Sequence, residues 1–552
     1  MSFLREVWDV TGGRITCHVK KRVSSRDKLY VPAVTSIRSV VRPTFREAGS
    51  QIVEGLRSFS VTTHPIKLGI MLAYALPRHG MTPAAGILGP ALTWGSATAL
   101  IDHHGSLTYR QLGAATERLA AGLAAQGVGV GTRVGIMLDD DRFLLMALGA
   151  VSLCGGHAWL INPRMGSDEL QECLHADEIE MVVYSPVAIQ ALAVFQGRRV
   201  PVNELEQLMA QVGTRVPKNA KKAKFVMLTG GTTSAPQAIP IRRRVTAPLP
   251  ALALAGATGV RHGKPTLVCA PLFHGYGLSC AFLGMVAGSP VVMSSACRVE
   301  GLGVLDKATT TRRIDWGQAI YSVSCREKVH TIFGVPAQLR ALAAYLEESD
   351  PEICDAELVK HLVSGSDRLD ESTIYTLQRR WGPVVTNYYG TTESGTVTMI
   401  RGQALESHPS SLGRPVAASR IRILDDRGHV QPRGVQGRID ITSPLASIGR
   451  SFTTSDIGWV DEEGYLYLEG RADDKVKAGG EFINLAKVEQ VLTSIDGVEW
   501  AQADMAVDPK YGYRVTAKVG TTQHIDEEDL RTAVRRHLGP PSVPTTITQV
   551  PT

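Results

Sequence analysis

Residues 224–240 read KFVMLTGGTTSAPQAIP, from Lys224 to Pro240. A short apolar run, Phe225–Leu228, ends in glycines, threonines, a serine and a proline, the pattern of a strand delivering the chain to a loop. Glycines let the backbone come close to a phosphate, and successive N–H groups can form an anion nest. Thr229, Thr232, Thr233 and Ser234 add four hydroxyls. The loop has no lysine of its own, and Gln237 stands where a cation is expected. G-x-x-x-x-G-K-[ST] is absent, so this is not a Walker A loop. Alone, such a loop is more often an ordinary turn, and its meaning depends on what surrounds it.

Outward from this loop, strands alternate with helices. Residues 109–126 are periodic, with Leu112, Leu119 and Leu123 on one face. GVGVG (127–131) follows and precedes a strand at 133–138. A dinucleotide loop needs the order strand, glycines, helix, so these glycines cap a helix and turn the chain. Helices are predicted at 143–154 and 168–174, and strands at 180–185, 225–228, 266–269 and 290–293. The alternation predicts an α/β architecture with a largely parallel, covered sheet. After about residue 412 the pattern becomes β-rich, with short strands separated by Asp-Arg-Gly and Pro-Arg-Gly turns. The tail predicts a small α+β unit, with helices at 485–495 and 526–538 and strands at 499–506 and 514–519.

The 552 residues exceed one compact core and imply two or three domains. Apolar residues at 44% and charged residues at 20% are ordinary for a globular protein, so disorder is not the default reading. Residues 1–47 hold ten Lys/Arg against four Asp/Glu, so this arm carries the whole net charge of +6. Such an arm suits an anionic surface such as a membrane, met peripherally. Residues 66–102 are apolar but interrupted by Pro77, Arg78, His79 and Pro83, too broken for a membrane span. Eight cysteines without a C-x-x-C pair read as reduced thiols. No Cys/His cluster has zinc-site spacing. GLSCA (277–281) fails the last position of G-x-S-x-G, against a serine hydrolase. Nothing points to nucleic acid.

Further segments give the loop its context: PLFHGYGL (271–278), TIFGVPAQLRAL (331–342), VSGSDRL (363–369), NYYGTTESG (387–395) and TSDIGWVDEEGYLYLEGRADDKVKAGGEFINLAKVE (454–489). With the opening loop these resemble, in consistent order over about residues 100–550, the adenylate-forming (AMP-binding) superfamily. The chain is most similar to a bacterial long- or medium-chain fatty acid–CoA ligase. The resemblance implies a basic extension (1–90), a large adenylate-forming domain of α/β layers with a β-rich subdomain (91–472), and a small mobile α+β C-terminal domain (473–552).

It also implies roles. Thr229, Gly230, Gly231, Thr232, Thr233 and Gln237 cradle the ATP phosphates. Ser364, Gly365 and Ser366 form the adenine-side loop, and Asn387, Tyr388, Tyr389, Gly390 and Thr391 complete the nucleotide site, with Tyr389 stacking on adenine. Thr392 bonds the α-phosphate, and Glu393 binds Mg²⁺, which takes hard oxygen ligands. Asp456 and Arg471 hold the ribose. Asp473 is the hinge, while Lys477, Gly479 and Gly480 face the coenzyme A side. His274, beside Tyr276, gates the carboxylate pocket, whose wall includes Val335, Pro336 and Ala337. Gly275, Gly277 and Gly334 suggest an elongated acyl tunnel, hence a fatty acid. The implied reaction attacks the α-phosphate of ATP with a carboxylate, then displaces AMP with coenzyme A or the thiol of an acyl carrier protein. The implied location is cytoplasmic, or peripheral on the inner face of the membrane.

The sequence departs from the family pattern at Gln237 (usually Lys), Ser234 (Gly) and Ala238 (Gly). The 444–454 connection is shorter than usual and 298–330 longer. The family's adenylation lysine is not met before Thr552, as in a chain shortened at that end. These departures keep open an acyl-AMP ligase serving a carrier protein, and a weak or inactive adenylate- or acyl-binding protein.

Overall fold

The computed structural model describes residues 7–11, 14–18, 40–58, 65–210, 215–229, 237–240, 248–298, 303–305, 312–349, 359–367, 369–446, 451–471, 476–478, 481–508 and 512–551. The chain forms two compact units, Met1–Arg38 and Ser39–Thr552. In the first, Val7–Thr11 pairs antiparallel with Arg14–His18.

The second unit is α/β, as the sequence predicts. The helix Tyr109–Ala125 begins at a capping box, in which Thr108 and Gln111 satisfy each other's backbone N–H. Its Leu112, Leu119 and Leu123 are buried. The following glycines turn the chain, with positive φ at Gly127 and Gly131, before the strand Arg133–Met137. The helix Arg142–Cys154 is buried along its length, apart from Arg142 at its start.

Two sheets organise the body. The first has six strands, in the order 237–240, 224–229, 157–160, 133–137, 181–184, 198–201. It is parallel except for its edge, where Gln237–Pro240 folds back antiparallel on Lys224–Thr229. The second has thirteen strands. Its centre is parallel, with Thr266–Val268, Thr331–Gly334, His361–Ser364 and Val385–Thr391 in adjacent register. Antiparallel pairing then runs through Gly395–Arg401 and Ser411–Pro415 into the β-rich region. The expected parallel sheet and the expected β-rich subdomain are thus one mixed sheet.

Residues 40–58 pack on the body: Val41 bridges to Ile421, Glu54 pairs with Arg401 at 2.7 Å, and Ala417 N donates to Gln51 at 2.9 Å. The tail has its own core, including Val488, Leu492, Val515, Val519, Leu530 and Val534. It also gains a strand that the sequence reading did not anticipate, Thr546–Pro551, parallel to Gly512–Thr521. His537 of this tail meets Asp168 at 2.6 Å. Cys325 is disulfide-bonded, which corrects the expectation of reduced thiols throughout; Cys154, Cys173, Cys269, Cys280 and Cys297 are free and buried.

Candidate active site

Parallel strands carry ligand sites beyond their carboxyl ends. In the large sheet, the segments that follow 266–268, 331–334, 361–364 and 385–391 are Pro271–His274, Val335–Ala337, Gly365–Asp367 and Thr391–Ser394. All four were singled out in the sequence, and the topology brings them to one edge.

Tyr276 joins them. It lies in the first turn of the helix Gly275–Ala287, and its buried hydroxyl donates to Val363 O at 2.7 Å and Gly334 O at 3.3 Å. Tyr388 meets the Tyr276 ring edge-on, with centroids 5.0 Å apart. Burial pushes both phenols well above their ordinary pKa, so they stay neutral. A Cβ on Gly365 would come 2.6 Å from the Tyr388 ring, so that loop closes over it only as glycine. Tyr388 is therefore packing that shapes the edge. Gln338 ties two loops by donating to Cys269 O at 2.8 Å and accepting from Val335 N at 3.0 Å.

Ser364 and Asn387 are register partners on adjacent strands. Both are almost fully buried, yet Ser364 Oγ and Asn387 Oδ1 have no hydrogen-bond partner among the described residues. Buried polar atoms left so cost about 1–3 kcal/mol each. Two at the mouth of the sheet suit a polar ligand. Beside them Ser366 holds φ +77°, a left-handed conformation rare outside glycine and Asn/Asp and frequent at ligand-binding loops.

Tyr389 points to the other face of its strand from Tyr388. Its hydroxyl donates to Asp456 Oδ2 at 2.6 Å, and both side chains are buried. Asp456 N is held by Thr454 Oγ1 at 3.1 Å, and Asp456 stands directly opposite Arg471 in the ladder. The tip carrying Thr392 and Glu393 is fastened by Ser394, whose Oγ accepts from Thr391 N at 2.9 Å and whose carbonyl accepts from Ser443 Oγ at 2.8 Å. Thr391 Oγ1 in return accepts from Ser394 N at 3.2 Å. The sequence reading passed over Ser394 and Ser443. The T-x-x-S spacing at a strand end was the available signal, because such hydroxyls form local turns. Glu393 is half-buried at this tip, a carboxylate able to hold a hard cation.

Two expectations change at the acyl side. A Cβ on Gly277 would clash with the carbonyls of Ala270 and Pro271, and one on Gly334 would meet Leu339 at 3.1 Å. Those glycines permit close packing of protein against protein. Gly275, with Met227 at 3.4 Å, alone of the three lies at ordinary contact. His274 caps the helix start beside Phe273, ring centroids 4.5 Å apart. Its neighbour Leu272 N donates to Asp140 at 2.8 Å.

Some predicted residues lie elsewhere. Thr229 and Gln237 face each other in register at the mouth of their hairpin, while Gly230, Gly231, Thr232 and Thr233 fall outside the described residues, as do Asp473, Gly479 and Gly480. Lys477 sits opposite Phe482 on a small hairpin whose first strand packs on Gly512–Thr521. Only its strand position is described.

This architecture is the α/β fold of adenylate-forming enzymes, and the chain belongs to the AMP-binding enzyme family, which it matches over residues 90–449. Its relatives include feruloyl-CoA synthase of Amycolatopsis sp, 27% identical over 82% of this chain and 91% of that protein. They also include the long-chain-fatty-acid–CoA ligase FadD13 of Mycobacterium tuberculosis, 24% identical over 76% of this chain and 84% of that protein. Among solved structures, the o-succinylbenzoate CoA synthetase of Bacillus subtilis shares the fold, with TM-score 0.71, 23% identity, and coverage of 84% of this chain and 94% of that one. The chain is an adenylate-forming enzyme of the CoA-ligase kind.

Proposed function

We propose that this protein activates a fatty acid with ATP to an acyl-adenylate and pyrophosphate, then forms the thioester with coenzyme A. The observation that carries the reading is the bonded pair Tyr389–Asp456 opposite Arg471, beside the partnerless Ser364 Oγ and Asn387 Oδ1. Asp456 can accept from two ribose hydroxyls while its bond to Tyr389 fixes the carboxylate. The Tyr389 ring then offers a face to adenine, and Ser364 and Asn387 gain a polar partner. Thr392 and Glu393, on the tip that follows this strand and is fastened by Ser394, would then meet the phosphates beyond the ribose. Mg²⁺ bound by Glu393 would neutralise phosphate charge. The chain's own part is to position acid and nucleotide and to hold donors where charge develops.

The pair of FadD13 and the Thermus thermophilus long-chain-fatty-acid–CoA ligase among the relatives supports a fatty acid. The feruloyl and 2-succinylbenzoate ligases keep an aryl acid as the competing substrate. ATP–pyrophosphate exchange across a panel of fatty and aryl acids decides between them. Exchange with aryl acids alone would sink the fatty-acid reading. Gln237 supports a second reading, a weak or inactive adenylate- or acyl-binding protein, which ATP binding without exchange on any acid would favour. Acyl-AMP that accumulates in the presence of coenzyme A would instead indicate an acyl-AMP ligase.

Peripheral membrane contact belongs to the same reading. The helix Pro65–His79 supports it, exposing Ile66, Ile70, Leu72 and Leu76 beside Lys67 and Arg78, a mixture suited to an anionic bilayer surface. No helix among the described residues is long and apolar enough to cross a membrane. Co-sedimentation with anionic vesicles tests the contact, and no binding at low salt would remove it.

A further inference from the structure

At the tip of one hairpin, two adjacent histidines converge with an aspartate that the sequence keeps far from them. His103 and His104 form the tip of the hairpin between Thr98–Asp102 and Gly105–Thr108. Asp141 is the N-cap of the helix Arg142–Cys154. One ligand atom from each lies within 4.8 Å of the others. We propose that His103, His104 and Asp141 form a binding site for a divalent transition-metal ion of the zinc class.

The convergence is built into the backbone. Asp102 Oδ1 accepts from His104 N at 2.9 Å, which fixes the turn. Gly105 closes it at φ +96°. Arg142 clamps the turn to the helix: its guanidinium pairs with the buried Asp102 and donates to Gly105 O at 2.8 Å. Asp141, next in the chain, is therefore held against the turn. Its Oδ1 accepts from Phe143 N at 2.9 Å, and a carboxylate keeps a second oxygen for a cation. The His104 ring rests edge-on against Phe143 with centroids 5.5 Å apart, and the two imidazoles lie 3.8 Å apart.

Chemistry selects the ion. Two imidazoles and one carboxylate are the donors of borderline metals, whereas Mg²⁺ and Ca²⁺ favour all-oxygen shells. Zinc bonds of about 2.0–2.1 Å put tetrahedral ligand atoms roughly 3.4 Å apart. The two histidines are exposed and Asp141 is buried, so closing that difference falls to the histidine rings. Three protein ligands and solvent access leave a coordination position to water, the form of an exchangeable site. The Arg142 charge is offset by Asp102, and Asp139 and Asp140 add negative field at Asp141. Bound metal would tie the hairpin to the helix and so stabilise the folded chain by linkage.

The test uses the whole chain, stripped with EDTA and titrated with Zn²⁺ alone against a chromophoric competitor. The variants are H103A/H104A and D141N, the latter chosen because asparagine also caps helices well. The wild type is expected to take up one equivalent more than each variant. Its thermal midpoint should rise with Zn²⁺ but not with Mg²⁺, and that rise should be absent in H103A/H104A. The Co²⁺-loaded wild type should show visible absorption that both variants lack. The chain holds 15 histidines and 8 cysteines, so Zn²⁺ uptake equal in number and affinity in wild type and variants would overturn the site, as would no uptake by the wild type.

Discussion

The Tyr389 hydroxyl donates a 2.6 Å hydrogen bond to Asp456 Oδ2, joining residues 67 positions apart. Tyr389 rides on a strand of the α/β part and Asp456 on one of the β-rich part, and the continuous sheet brings them together. Tyr389→Phe removes a charge-assisted bond worth about 1.5–3 kcal/mol. ATP–pyrophosphate exchange should show kcat/KM for ATP falling roughly 10- to 100-fold, and Asp456→Asn should fall at least as far. Unchanged kinetics in both would remove the pair from the nucleotide site.

Thr229 and Gln237 face each other where the glycine loop leaves and rejoins its hairpin. A lysine at 237 would place a cation at the base of that loop. Gln237→Lys should therefore speed adenylation by about tenfold, the low end of a charge-assisted phosphate contact. Equal exchange rates would show that the loop's charge does not limit the reaction.

Ser394 fastens the tip that carries Thr392 and Glu393. Ser394→Ala frees that tip while leaving both side chains in place. The adenylation kcat should drop more than ATP affinity, whereas a merely structural serine would lower the thermal midpoint and leave kcat alone.

Tyr276 spans the ends of two strands through its buried hydroxyl. Tyr276→Phe keeps the ring against Tyr388 but orphans a carbonyl. Urea unfolding should register a loss of about 1–3 kcal/mol.

His330 and His361 lie tilted against each other at the opposite end of the large sheet, with centroids 5.4 Å apart. Burial pushes the His361 imidazole down to about 3, aided by His330 and Arg261. Burial likewise lowers His330 to about 4, with Arg261, Lys264 and Lys360 adding to it. Their folded values lie below the unfolded one of about 6.5. The unfolded chain thus binds more protons between these limits, so stability is full above about 6.5 and declines as pH falls towards 3. His361→Gln should flatten this acid limb in urea midpoints taken from pH 8 to 4. An unaltered slope would mean that other groups set it.

Much of the α/β body was legible locally. The helix predicted at 109–126, the glycine turn after it and the short strands came from apolar period and from turn residues, which act over one or two turns of chain. Glycine chemistry was legible only in part. Gly277 and Gly334 read as room for an acyl chain, but they face the Ala270 carbonyl and the Leu339 side chain. A missing Cβ states that something is close and does not say whether it is substrate or protein.

From the sequence alone came the family, the order of its motifs and the residue types able to handle a nucleotide, because each motif lies within a short run whose local geometry its own residues fix. Tertiary structure decided what those runs share. It merged the parallel and β-rich regions into one sheet, set Asp456 opposite Arg471 and against Tyr389, buried Ser364 beside Asn387, and brought Asp141 to His103 and His104. Strand order and register depend on pairing energies between distant segments, so no short window of sequence contains them.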